Sequence, residues 1–96
     1  MSERAAITLA SHPRLAAHRR LHFDKARETW TIQAPERAFM LDEIAHAIVS
    51  RCDGTATTGD IIDDLCKSFP DAPRAAIEND VLALLQDFAD KGVMAL

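Results

Sequence analysis

Residues 20–34 have the sequence Arg-Leu-His-Phe-Asp-Lys-Ala-Arg-Glu-Thr-Trp-Thr-Ile-Gln-Ala, which contains two runs of alternating apolar and polar residues. The alternating apolar positions are Leu21, Phe23, Trp30, Ile32 and Ala34. Aromatic and β-branched residues at a period of two are typical of strands with one buried face. Since only residues 25–27 separate the runs, they predict an antiparallel hairpin.

A third, shorter strand is predicted at residues 37–41. Pro35 has no main-chain N–H to donate to a ladder, so it ends the second strand. From Asp42 onward, the spacing of apolar residues changes to that of helices. The sheet is therefore complete before the helices begin, and its apolar face must pack on them.

Two helices are predicted from their terminal residues. Asp42 is a good N-cap for the first helix, and Gly54 is expected to end it. Thr57 and Asp60 form a capping-box pattern for the second helix, which Pro70 stops. The apolar stripes of the two helices are Ile44, Ala45, Ile48, Val49 and Cys52, and Ile61, Ile62, Leu65, Cys66 and Phe69.

The third predicted helix is the longest. Asp71 or Ala72 is expected to cap it, Pro73 falls in its first turn, and Lys91 with Gly92 closes it. Residues 93–96 form a short apolar tail, either a strand or a pad against the core. The buried stripe of this helix consists of Ile77, Val81, Leu84, Leu85 and Phe88, widened by Leu82 and Ala89.

The predicted order is β-β-β-α-α-α, an α+β fold in which a three-stranded antiparallel sheet precedes a three-helix bundle, in a winged-helix-like arrangement. A chain of 96 residues supports one modest core, so one domain is expected. We expect residues 1–11 to be a flexible tail, residues 12–96 to be the domain, and residues 12–18 to form a loop.

Composition limits the classes of partner. Residues 1–40 carry seven Lys and Arg against four Asp and Glu, a net charge of +3, whereas residues 41–96 carry four against eleven, a net charge of −7. The acidic second part argues against a nucleic acid as partner. No apolar run approaches the roughly 20 residues that span a bilayer, so no membrane partner is expected. Cys52 and Cys66 are expected as buried thiols in a cytoplasmic protein.

Catalytic motifs are absent from the sequence. No Gly-rich phosphate loop or Cys-x-x-Cys pair occurs, and the sequence predicts neither an enzyme nor a metal site. No cofactor is expected either. The four histidines lie in different elements without ligand spacing: His12, His18, His22 and His46.

Binding is the remaining role, and two surfaces could serve it. The third helix could enter a DNA groove, as in a winged-helix regulator, but its exposed face is mostly acidic. The other surface is the open edge of the third strand, to which a peptide can add itself as a fourth strand. Proline at Ala38 or Phe39 is expected to weaken such binding more than a charge reversal on a side chain of the strand does. The predicted peptide contacts are Arg37, Ala38, Phe39, Met40 and Leu41 of the strand, and Arg74, Ile77, Glu78, Val81, Leu82 and Leu85 of the helix.

Several of these helix residues are also candidates for the core. For Val81 and Leu85 a core position is the simpler interpretation, and for Leu82 the two alternatives are equally balanced.

The chain resembles the PqqD family over residues 12–94. The similarity is carried by Pro13-Arg14-Leu15, Phe23-Asp24, Trp30, Ala34-Pro35-Glu36, Met40 to Ala45, Cys52-Asp53-Gly54, Asp60-Ile61, Leu65, Asp80-Val81, Leu84, Phe88 and Lys91-Gly92-Val93. Asp42 departs from the asparagine expected there, but both residues cap a helix.

The resemblance implies a peptide chaperone, or recognition element, for a ribosomally made peptide in pyrroloquinoline quinone (PQQ) biosynthesis. Such a domain binds the precursor peptide PqqA as a strand beside its third strand and presents it to the radical S-adenosylmethionine enzyme PqqE. It holds no iron–sulfur cluster. A recognition element from another modified-peptide pathway remains an alternative, and the open edge also permits a homodimer.

Overall fold

A three-stranded sheet followed by three helices forms the body of the protein, as the computed structural model shows for residues 6–96. The strands of this sheet run in the order β2-β3-β4 and are all antiparallel. The predicted fold class is confirmed. In chain order, the elements are β1 (Arg14–Leu15), β2 (Arg20–Asp24), β3 (Thr29–Gln33), β4 (Ala38–Leu41), α1 (Glu43–Val49), α2 (Thr58–Ser68), α3 (Arg74–Asp90) and β5 (Met94–Ala95).

The core lies between the inner face of the sheet and the helices. Ile32 is fully buried and is paired with Leu21 on one side and Phe39 on the other, so these three side chains share the inner face. The alternation of apolar and polar residues in the hairpin therefore determines which face of the sheet packs on the helices. The largest buried helical side chains are Ile48, Val49, Ile61, Ile62, Val81 and Leu85.

The two ends of the domain are joined by a pair of short strands, of which the sequence allowed β5 as one alternative but did not predict β1. Residues 14–15 were expected in a loop, but β1 pairs antiparallel with β5. The main-chain N–H of Ala16 extends this contact by donating to the carbonyl of Val93 at 2.9 Å. A strand of two residues is too short to show alternation, so pairing between distant segments alone defines it.

The first helix ends earlier than predicted. It stops at Val49 with Ser50 as C-cap, so the expectation that Gly54 would terminate it was wrong. Gly54 lies in the following loop with φ of +82°, and its N–H donates to the carbonyl of Pro13 at 3.0 Å. A Cβ atom there would lie 3.3 Å from Cδ of Arg14. The glycine therefore allows a close approach between two loops.

The third helix also begins differently from the prediction. Pro73 is its N-cap, in place of Asp71 or Ala72, and it supplies no side-chain hydrogen bond. The carbonyl of Pro73 accepts the N–H groups of Ala76 and Ile77. Proline suits this position because the first N–H groups of a helix have no partner within the helix.

The amino-terminal segment contacts α2 and α3. The N–H of Ile7 donates to Oε1 of Gln86 at 2.9 Å. The carbonyls of Leu9 and Ser11 accept the N–H groups of Gly59 and Thr58 at the start of α2. The flexible tail predicted for residues 1–11 thus lies partly outside the described residues and partly in a hydrogen-bonded segment.

Both cysteines are free. Cys52 is buried, whereas Cys66 is half-buried on α2. Burial, with a smaller contribution from the charge of Asp53, raises the pKa of the Cys52 thiol to about 12, so this thiol is protonated at neutral pH. No helix among residues 6–96 has the length and apolar character needed to cross a membrane.

Replacing Thr57 with alanine is expected to lower the free energy of unfolding by about 1 kcal/mol. Oγ1 of Thr57 accepts the N–H of Asp60, and a carboxylate oxygen of Asp60 accepts the N–H of Thr57, both at 3.1 Å. The predicted capping box is therefore present. Urea unfolding measures the loss, and Thr55→Ala in the preceding loop is the control. Equal losses in the two variants would contradict a capping contribution.

Candidate functional site

The outer edge of β4 has main-chain groups that β3 does not use. The N–H of Ala34 donates to the carbonyl of Arg37 at 3.0 Å, so these residues form a hydrogen-bonded pair. Bonded and non-bonded pairs alternate along an antiparallel ladder. Phe39 therefore bonds to β3, whereas the N–H and C=O groups of Ala38 and Met40 point outward. Within residues 6–96, no strand pairs with this edge.

Two cavities lie between β4 with the start of α1 on one side and α3 with the residues that follow it on the other. At the end where β4 begins is a cavity of about 350 Å³, lined by Arg19, Ala34, Pro35, Glu36, Arg37, Phe39, Lys91 and Val93. At the end where α1 begins is a second cavity of about 450 Å³, lined by Asp42, Ile44, Ala45, Ile48, Asp80, Ala83, Leu84 and Asp87. We call the two cavities together the β4 groove. The rings of Phe39 in β4 and Phe88 in α3 lie with their centroids 6.0 Å apart, so the strand and the helix approach each other at these two rings.

The flank of α3 that lines the β4 groove differs from the one predicted. At 100° per residue, Asp80, Leu84 and Asp87 lie on one side of the buried Val81, and Leu82 lies on the other. Leu84 is half-buried, so it offers apolar surface to a ligand. The groove is thus apolar at its base and acidic along this flank.

The predicted helix contacts divide into two groups. Ile77, Val81 and Leu85 belong to the core and are 8%, 0% and 0% exposed. Arg74, Glu78 and Leu82 fall on the flank away from the β4 groove, where a guanidinium nitrogen of Arg74 donates to Asp63 of α2 at 2.6 Å. A role for these six residues in peptide binding stays a prediction.

The predicted strand contacts lie together along β4. Met40 is 64% exposed and Ala38 is also exposed, whereas Leu41 is buried. Phe39 is half-buried, and the guanidinium of Arg37 lies 4.6 Å from the centre of its ring. This part of the predicted site has the exposure that an added strand requires.

Four residues of the β4 groove were missing from the predicted contacts: Asp80, Ala83, Leu84 and Asp87. Their spacing could have shown that they lie together, because residues three, four and seven apart share one face of a helix. Ile44 was also misplaced, since it was predicted in the apolar stripe but is 39% exposed at the groove.

An aromatic cluster lies next to β4 on its neighbour, β3. Trp30 stacks on His46 with ring centroids 4.5 Å apart and planes 12° apart, and Phe23 meets it edge-on at 5.4 Å. Trp30 is the single tryptophan of the chain and is directly paired with Leu41 at the end of β4. The fluorescence of Trp30 is therefore a probe of ligand binding at β4. Among the described residues, no three His, Cys, Asp or Glu side chains converge as metal ligands.

Comparisons with known proteins give consistent matches. The family model described as coenzyme PQQ synthesis protein D (PqqD) matches residues 29–94. The PqqA binding protein of Bradyrhizobium diazoefficiens is 46% identical over 88 residues, which cover 92% of this chain and 84% of that protein. The PqqA binding protein of Xanthomonas oryzae pv. oryzae is 40% identical over 92 residues, with 96% and 99% covered.

Solved structures agree in fold. The solution NMR structure of the PqqD truncation of Methylobacterium extorquens PqqCD, described as a functional and stand-alone RiPP recognition element, matches with a TM-score of 0.83 and 37% identity. The match covers 99% of this chain and all of that one. The crystal structure of PqqD from Xanthomonas campestris matches with a TM-score of 0.59 and 38% identity, covering 95% of this chain and 100% of that one.

Proposed function

The chain belongs to the PqqD family, and from this membership we propose that it binds the peptide PqqA in the biosynthesis of coenzyme PQQ. The observation that carries the proposal is the open edge of β4 beside the groove to α3. The high TM-score to a RiPP recognition element supports the same role.

The peptide binds by adding a strand to the sheet. The outward N–H and C=O groups of Ala38 and Met40 bond to its main chain, and the apolar base of the β4 groove receives one or two of its side chains. Each main-chain bond contributes about 0.5–1.5 kcal/mol net, so a few bonds and an apolar anchor give moderate affinity. Because main-chain groups supply much of the binding, the edge itself matters more than any one charge.

The wider role we propose is presentation. The domain catalyses no step itself and holds PqqA, without a cofactor of its own, for the radical S-adenosylmethionine enzyme PqqE. The free thiols of Cys52 and Cys66 accord with the reducing cytoplasm expected from the sequence. A DNA-binding role is disfavoured, because Asp80 and Asp87 on the exposed face of α3 would repel phosphates.

Titration of the protein with synthetic PqqA is expected to shift the amide NMR signals of residues 37–41 and 80–91. The N–H groups of Ala38 and Met40 should also become protected from hydrogen exchange, because they gain main-chain acceptors. A peptide of the same composition in scrambled order is the control. Shifts confined to β2 or α2 would contradict binding at the edge of β4, and equal shifts with the scrambled peptide would contradict selective recognition of PqqA.

The titration also tests self-association. The same open edge could pair with a second copy of the chain. Light scattering with and without the peptide is expected to give a complex of one chain and one peptide. A dimer that persists with peptide bound would mean that either the second copy or the peptide binds away from this edge.

A further inference from the structure

The two ends of the β4 groove differ in charge. The cavity at the start of β4 includes three cations, Arg19, Arg37 and Lys91, against the single acid Glu36. The cavity at the start of α1 includes three acids, Asp42, Asp80 and Asp87, and no cation. The division of charge seen along the sequence is therefore also present across one groove.

At the basic end, Arg37 has unused hydrogen-bonding capacity. Arg37 is exposed, and none of the described residues supplies a carboxylate to it. Arg19 donates through Nη1 to the carbonyl of Ala17 at 2.7 Å, and its Nε is buried, so a peptide does not reach that nitrogen. Lys91 is partly neutralised by Asp87, at 2.9 Å. Arg37 is therefore the group best able to receive an anionic side chain.

At the acidic end, Asp80 is the free group. Asp42 already accepts the N–H of Ala45 at 2.7 Å as the N-cap of α1, and Asp87 is paired with Lys91. Asp80 is exposed, and no side chain among residues 6–96 pairs with it. It lies beside the half-buried Leu84, so a ligand side chain with an apolar stem and a cationic head fits this end.

We propose that the β4 groove selects a peptide segment with one acidic and one basic side chain in a fixed order, the acidic one against Arg37 and the basic one against Asp80. This proposal rests on the proposed function and adds the charge pattern of the ligand. Asp42 lines the same cavity as Asp80 and lies five positions after Arg37, which is about 17 Å of strand. The two charges on the peptide are therefore roughly four to six residues apart in its extended chain.

Combined substitutions in the protein and the peptide test whether Arg37 contacts an acidic side chain and Asp80 a basic side chain of the peptide. Three peptides are the probes. They are synthetic PqqA, an acid-free version with every Asp changed to Asn and every Glu to Gln, and a base-free version with every Lys and Arg changed to Gln. We expect Arg37→Gln to weaken binding of the unmodified peptide about two- to fivefold and to have no effect on the acid-free peptide. Asp80→Asn should weaken binding by a similar factor and have no effect on the base-free peptide. Raising the salt concentration should shrink both effects.

Matched controls distinguish a charge contact within the β4 groove from an effect of the net charge of the protein. Lys25→Gln, in the turn between β2 and β3, removes one positive charge outside the two cavities, and Asp71→Asn removes one exposed negative charge in the loop between α2 and α3. Both should bind the unmodified peptide like the parent protein. If Asp71→Asn weakens binding as much as Asp80→Asn does, or if the crossed pattern is absent, the proposed charge pattern of the ligand is wrong. Failure of the parent protein to bind PqqA at all would instead refute the proposed function.

Discussion

Replacing Met40 with proline is expected to weaken PqqA binding roughly ten- to a hundredfold while the domain stays folded. The N–H of Met40 points to the open edge, so proline removes a donor to the peptide and no bond to β3. A peptide carbonyl is then left without its partner, which together with the lost bond costs about 1.5–3 kcal/mol. Titration followed by Trp30 fluorescence measures the affinity, and thermal unfolding measures the fold.

Two further variants at this strand make the result specific. Met40→Ala shortens the side chain but keeps the N–H, so it should bind nearly like the parent protein. Phe39→Pro removes a donor that faces Ile32, so it should destabilise the sheet itself. A folded Met40→Pro variant that binds PqqA with the parent affinity would show that the peptide does not add to this edge.

The sequence predicted the sheet well, because its signals are local. Alternation in residues 20–34 and the proline after the second strand require only neighbouring residues to be interpreted. The same pattern could not show that proline at Ala38 would remove a donor to the peptide, whereas proline at Phe39 would remove a donor to β3. The direction of each N–H depends on the pairing register, which the hydrogen bond between Ala34 and Arg37 reveals.

The candidate site was predicted only in part, because it depends on how elements meet. Helical spacing shows that Asp80, Leu84 and Asp87 share a flank of α3, but it does not show which flank faces β4. The packing of α1 against the sheet decides this and also leaves Ile44 exposed. The β1–β5 pair likewise joins segments about 80 residues apart, which no local pattern encodes.

Alanine substitutions at the adjacent residues Leu84 and Leu85 are expected to affect different properties: peptide binding for Leu84 and stability for Leu85. Leu85 is 0% exposed, so Leu85→Ala leaves a cavity and should lower the free energy of unfolding by about 2–5 kcal/mol. Leu84 is half-buried at the β4 groove, so Leu84→Ala should cost less stability and should weaken PqqA binding.

Urea unfolding and peptide titration of both variants measure the two quantities separately. Sufficient PqqA should partly restore the stability of Leu85→Ala, because a ligand that binds only the folded state adds to its stability. The same rescue should be weaker in Leu84→Ala, whose contact with the peptide is lost. Equal affinities for PqqA in Leu84→Ala and the parent protein would place the apolar anchor of the peptide elsewhere.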